Sequence, residues 1–203
     1  MSSNTDARSR VLNDVAKAET QFRGFLEEQL VAFHEAQEIR HSKRLPVLAF
    51  CGLGRSGKDL AAEWFGSNFD VRYEGSISKA ICPLIAFVKG QSEDKAFSER
   101  HDDRMYWFEF CNELRRNDPT LLVKLTLVAN DVVAGVRSAI ELERCVEEGI
   151  IDLSIWVNNP RVDPDPTVEF EESDCDITIV NDSSKTAYFC KLRRLADLSA
   201  MPF

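Results

Sequence analysis

The stretch LPVLAFCGLGRSGKDLAAEWF, Leu45 to Phe65, carries the reading of the fold. Its first half, LPVLAFCG, is a continuous apolar run of strand length, as expected of a central parallel strand covered on both faces. A Gly-rich turn follows, and KDLAAEWFGS then keeps helical spacing through Leu60, Ala61, Trp64 and Phe65. The turn GLGRSGKD, Gly52 to Asp59, fits G-x-x-x-x-G-K with an unusual last residue. Between a strand and a helix, such glycines let backbone N–H groups turn inward around a polyphosphate, and the helix N-terminus adds partial positive charge. Lys58 would then reach the transferring phosphate as a compact point charge. The next position, where a Ser or Thr hydroxyl ordinarily ligates magnesium, is Asp59. A carboxylate is a harder, charged ligand for the same cation, and an acid in a first helical turn is also what the helix dipole favours. Both readings of Asp59 stay open at this stage.

Downstream, the pattern predicts alternating strands and helices. FDVRYEG (69–75) reads as a second short strand, and SKAICPLIAFVKG as a helix interrupted or kinked near Pro83. The segment 96–118 reads as one strong helix, and PTLLVKLTLVAN as another with proline in its first turn. DVVAGVR (131–137) is a strand, SAIELERCVEEG a helix closed by Gly149, IIDLSIWV and DITIVND (176–182) the last strands, and KTAYFCKLRRLADL a closing helix. Short apolar strands alternating with helices imply a parallel sheet wound on both faces, an α/β class.

Upstream, residues 11–39 carry a long helical pattern, with Leu12, Val15, Phe22, Leu26 and Phe33 at 3/4 spacing and Phe25 and Leu30 widening the stripe. Glu19 and Gln29 interrupt the seam, which favours a docked helix over a coiled-coil homodimer. The chain divides into an N-terminal helical extension, 1–44, and a domain from 45 to 203.

At 203 residues the chain has length for one full α/β domain. The polar N-terminus lacks a signal-peptide core and no apolar run reaches membrane-span length, so a soluble protein without a membrane partner is expected. The six cysteines are scattered without a C-x-x-C pair, which suits reduced thiols in a cytoplasmic protein. Net charge is −9, and residues 163–176 hold seven acids and no base. Such a balance disfavours non-specific duplex binding, although a local basic groove is compatible with it.

GRSGKDLAAEWF resembles the loop of phage deoxynucleoside monophosphate kinases and of the related phosphomevalonate kinases, in which G-K-D replaces G-K-[ST]. GSISKAICPL resembles the segment after that family's second strand, and RHDDRMYWFEFCNELRRNDP its Arg/Trp-bearing acceptor helix. DVVAGVRSAIELE, IIDLSIWV and DCDITIVNDSS resemble the later strands in order, so the likeness covers about 46–195. It implies a P-loop NTPase fold of the nucleoside monophosphate kinase kind: three α/β/α layers, a five-stranded parallel sheet and the added N-terminal helix. It also implies a phage-encoded enzyme of the host cytoplasm that uses ATP and Mg²⁺ to phosphorylate a deoxynucleoside monophosphate. Kinases of this type acting on 5-hydroxymethyluracil within DNA are the alternative acceptor class, and a catalytically degenerate nucleotide-binding assembly protein is the other.

By the same resemblance, Gly52, Gly54, Arg55, Ser56, Gly57, Lys58, Asp59 and Leu60 hold the donor, with Asp59 on the metal. Gly75, Ser76, Ser78, Arg100, Arg104, Trp107 and Arg137 form the acceptor side, and Lys58, Arg104 and Arg137 are catalytic. Arg100 and Arg104, four apart, are expected on one helix face, where planar forks suit a phosphate; pairing with Glu93, Asp94, Asp102 or Asp103 is the structural alternative. Trp107 stacks on a base or packs in the core. Two departures from the family pattern stand out. Gly135 occupies the place of an acid that helps hold magnesium in several relatives, and the lid region 158–176 offers only Arg161.

Overall fold

The computed structural model describes residues 2–199. A long helix α1 (Ser2–Lys43) leads into strand β1 (Leu48–Cys51) and helix α2 (Lys58–Asn68). Four helices follow: α3 (Ile77–Lys89), α4 (Glu93–Glu99), α5 (Arg104–Leu114) and α6 (Leu121–Ala129). The chain continues through β2 (Val132–Ala134), α7 (Ala139–Glu147), β3 (Leu153–Asn158), a 3₁₀ turn (Glu172–Asp174), β4 (Ile177–Val180) and α8 (Lys185–Leu198).

The strands form one parallel sheet in the order β2-β1-β3-β4, with Phe50 of β1 opposite Ala134 and Ile155. Side chains alternate across it. Ala49, Cys51, Val133 and Trp156 point into a core shared with α1, α3, α5 and α6, whereas Leu48, Phe50, Ile155 and Val157 meet α2 and α8. Every residue of β1 is fully buried, which is why its sequence is apolar without alternation. The α/β class is as expected, with helices on both faces of the sheet.

Among the described residues, four strands replace the expected five. The segment 69–75 runs beside β2 but forms no ladder with it, because side chains take its N–H groups: Arg72 N–H donates to Asp131 Oδ2 (2.9 Å) and Glu74 N–H to Asn130 Oδ1 (2.6 Å). The single helix expected over 96–118 is two helices joined by a turn at 100–103. Helix α3 runs through Pro83 without interruption. The strand expected over 131–137 leaves its ladder after Ala134, where Gly135 takes φ +100°.

Helix α1 packs on α3, α5 and α6. It contributes Val11, Val15, Ala18 and Phe33 to the core, while Leu12 and Phe25 of the expected stripe are exposed. Its C-terminal end is pinned by Arg40, 2 % exposed, whose Nη1 donates to the Leu127 carbonyl (2.8 Å) and meets Asp131 Oδ1 at 3.4 Å. The buried part of the helix is thus a wall of the same core as the sheet. Among the described residues, no helix is long and apolar enough to cross a membrane.

Candidate functional site

Parallel strands bring their C-terminal ends to one edge, and at a sheet of this kind ligands settle there. The loop after β1 is shaped by its glycines. A Cβ on Gly52, at φ +133°, would lie 2.6 Å from the Val157 carbonyl oxygen, and one on Gly54 would lie 2.6 Å from Arg104 Nη2. Gly52 therefore needs bare backbone to turn past β3, and at Gly54 the Arg104 guanidinium lies close against the loop. Asn181, just past β4, donates to the Ser56 carbonyl (2.9 Å), and Tyr188 Oη donates to the Gly57 carbonyl (3.2 Å). Carbonyls of the turn are thereby tied down from below.

Lys58 opens α2 and is 5 % exposed, its Nζ donating to the Leu53 carbonyl at 3.2 Å. Burial lowers its pKa; Asp59 opposes that effect and the charges of Arg137 and Arg104 add to it. The Ser56 hydroxyl is buried in the loop without a hydrogen-bond partner among the described residues. Asp59 is exposed in the first turn of α2, without an ion pair among the described residues, and Arg55 is exposed with φ +63°. Leu60 is half-buried against the core beneath α2.

Next to the loop lies one of the seven acids of residues 163–176. Asp165, with its side chain 4 % exposed, points its Oδ2 at three separate elements. Oδ2 accepts from Gly54 N–H (3.1 Å), from Arg137 Nη1 (2.9 Å) and from Arg104 Nη2. Oδ1 accepts from the Thr167 hydroxyl (2.7 Å) and N–H (3.2 Å). Burial alone would raise its pKa, but the bonds from Arg137 and Thr167 outweigh this and hold the carboxyl well below the usual range. Thr167 in turn lies 2.5 Å from Arg137 Nη1 and 3.3 Å from Arg104 Nε. The alternative pairings expected for Arg104, with Glu93, Asp94, Asp102 or Asp103, do not occur.

Next to this cluster is a cavity of about 70 Å³ whose lining includes Ser78, Arg100, Arg104, Trp107 and Arg137. Trp107 is both core and lining, and its indole Nε1 is buried without a partner. Arg100 and Arg104 share the cavity but not a helix face: Arg100 caps α4, lies over the Phe97 ring at 3.9 Å and donates to the Phe97 carbonyl, while Arg104 opens α5. Gly75 N–H meets Asn130 Oδ1 at 3.3 Å, and Ser76 caps α3 beside Gly135; neither is among the residues that line the cavity. His101 at the rim has its pKa lowered by partial desolvation and then by Arg100, Arg104 and Arg55, an indication of a locally positive field in an acidic protein.

The inner end of the cavity holds Arg115, whose Nη1 donates to Glu141 Oε2 (3.1 Å) and whose Nη2 bonds Asn112 Oδ1. Glu141 is 1 % exposed, its second oxygen has no partner, and burial pushes its pKa up to about 7 against the pull of Arg115. Asp165, Thr167, Arg115 and Glu141 were all missed from sequence. The one available signal was the pair of prolines flanking Asp165, which alternate outward while Asp165 and Thr167 turn in.

Comparison with protein-family models, with curated proteins and with solved structures finds no match to this chain.

Proposed function

We propose that the chain is an ATP- and Mg²⁺-dependent phosphotransferase whose acceptor is a deoxynucleoside monophosphate. One observation carries this reading: Gly54 N–H, Arg104 and Arg137 converge on a single anionic oxygen beside Lys58. A carboxylate oxygen there stands in for a phosphoryl oxygen, and three donors from three elements make the geometry one for an anion.

The residues fit a polyphosphate. Ser56 offers an unpartnered hydroxyl, Lys58 retains donors beyond its one carbonyl bond, and the N-terminus of the eleven-residue α2 faces the same space. Bound ATP would supply the phosphoryl group and Mg²⁺ would neutralise charge between its oxygens. Asp59, an exposed carboxylate in the first turn of α2, would be the protein ligand to that ion. Lys58, Arg104 and Arg137 position the groups and stabilise equatorial charge; the chemistry needs no covalent intermediate and no strong base. Trp107 and Arg100 line the space for the acceptor, with Ser78 at its side.

The test is incubation with γ-labelled ATP and Mg²⁺ against a panel of deoxynucleoside monophosphates and against DNA containing 5-hydroxymethyluracil. Label in a nucleoside diphosphate is the expected result. Label in the DNA would transfer the reading to a base kinase, and label in neither would overturn phosphotransfer.

A further inference from the structure

Chain connectivity makes Asp165 unusual. Parallel neighbours β3 and β4 need a crossover, and crossovers of this kind ordinarily contain a helix. Here residues 159–176 cross without one, apart from the 3₁₀ turn, and the path lies over the strand ends. The loop is tied at its second half: Glu169 N–H donates to the Arg137 carbonyl (2.8 Å), Phe170 packs edge-on against Trp156, and Asp176 accepts from Ser154. Its first half is largely exposed, including Pro160, Arg161, Asp163 and Pro164, and is held by the bond from Arg161 Nη2 to the Asp182 carbonyl.

We propose that this loop is an autoinhibitory plug, in which the Asp165 carboxylate occupies the phosphate position and must be withdrawn before a polyphosphate binds. The proposal rests on the reading of the Gly52–Gly57 turn as a phosphate-holding loop. Two other roles for Asp165 fit less well. As a metal ligand it would need a free lone pair facing a cation, but its oxygens already accept five hydrogen bonds and two guanidinium groups flank Oδ2. As a purely structural acid it would satisfy arginines that otherwise lack an anion, yet it also takes the Gly54 N–H, a donor belonging to the loop itself. Competition for the same donors means that each bound phosphate displaces the carboxylate. The apparent affinity is then reduced by the fraction of molecules in which the loop is open.

The test is calorimetric titration of the full chain with inorganic triphosphate, comparing wild type with Asp165→Asn, Asp165→Ala and Asp163→Asn. The last variant makes the same charge change at an exposed position of the same loop. Both Asp165 variants are expected to bind triphosphate about tenfold tighter or better, with Asp163→Asn near wild type. An unchanged or weaker affinity, an equal gain in Asp163→Asn, or no binding by any of the four would overturn the plug. Hydrogen exchange on wild type covers the case in which an Asp165 variant fails to fold: triphosphate should increase exchange in 162–169, and increased protection there would mean that the loop closes on the ligand. Tighter triphosphate binding without phosphotransfer would keep the plug and sink the kinase reading; phosphotransfer with unchanged affinity would do the reverse.

Discussion

Lys58 and Asp59 are adjacent, yet their surroundings separate their roles. Lys58 is buried among the site's cations and makes one carbonyl bond, so its ammonium is held under desolvation for an anion to relieve. Lys58→Ala should lower the phosphotransfer rate by about 10²–10³-fold while the melting temperature stays within a few degrees of wild type, read by single-turnover kinetics and thermal melts. Asp59 faces solvent and depends on a ligand for any role beyond the helix dipole. Asp59→Ala should raise the Mg²⁺ concentration needed for half-maximal rate; wild-type metal dependence in that variant would refute the ligand role. Glu141 supplies a pH-dependent stability difference. Its folded pKa, about 7, lies above the ordinary glutamate value, so its contribution is fully present below the unfolded pKa and is lost as pH rises through 7. Thermal melts of Glu141→Gln against wild type should therefore show the variant gaining relative stability from pH 5 to pH 8. A pH-independent difference would contradict this.

At the scale of elements, hydrophobic period identified most helices and the central strand, and failed where side chains competed with backbone. The extended 69–75 segment has strand composition, but Asn130 and Asp131 take the N–H groups of Glu74 and Arg72 from 56 and 59 residues away in sequence. Nothing local in either stretch announces that exchange. The turn at 100–103 likewise splits a segment whose spacing reads as one helix, and it moves Arg100 off the face of Arg104. In α1 the 3/4 pattern found the right element and misassigned part of its face, since Leu12 and Phe25 are as apolar as Val11 and Phe33 but stay exposed at the edges of the contacts with α5 and α6. Phe33→Ala should destabilise the chain by about 3–5 kcal/mol in urea titrations, and Phe25→Ala by less than about 1 kcal/mol. Comparable losses would mean that the exposed face of α1 is covered in solution.

For the whole molecule, α1 and the sheet share one core, with Arg40 and Arg72 meeting on Asp131. A chain starting at Leu45 would expose the faces of α5 and α6 and leave Asp131 with one arginine. It should lose cooperative thermal unfolding, measured by circular dichroism; a sharp transition near that of the full chain would show that α1 is an accessory. The sequence by itself determined the α/β class, the buried strand, the Gly-rich turn and Lys58, because each follows from local period, composition or backbone freedom. Arg104 and Arg137 were also legible as candidates through the family resemblance, Arg104 within the helix expected over 96–118 and Arg137 at the end of the strand expected over 131–137. Only the tertiary structure decided what they face. Asp165 is one of seven acids in its segment, and it differs from the others through contacts with Gly54, Arg104 and Arg137, up to 111 residues distant. Charge alone cannot rank identical side chains; burial beside specific donors does, and that is a property of the folded chain.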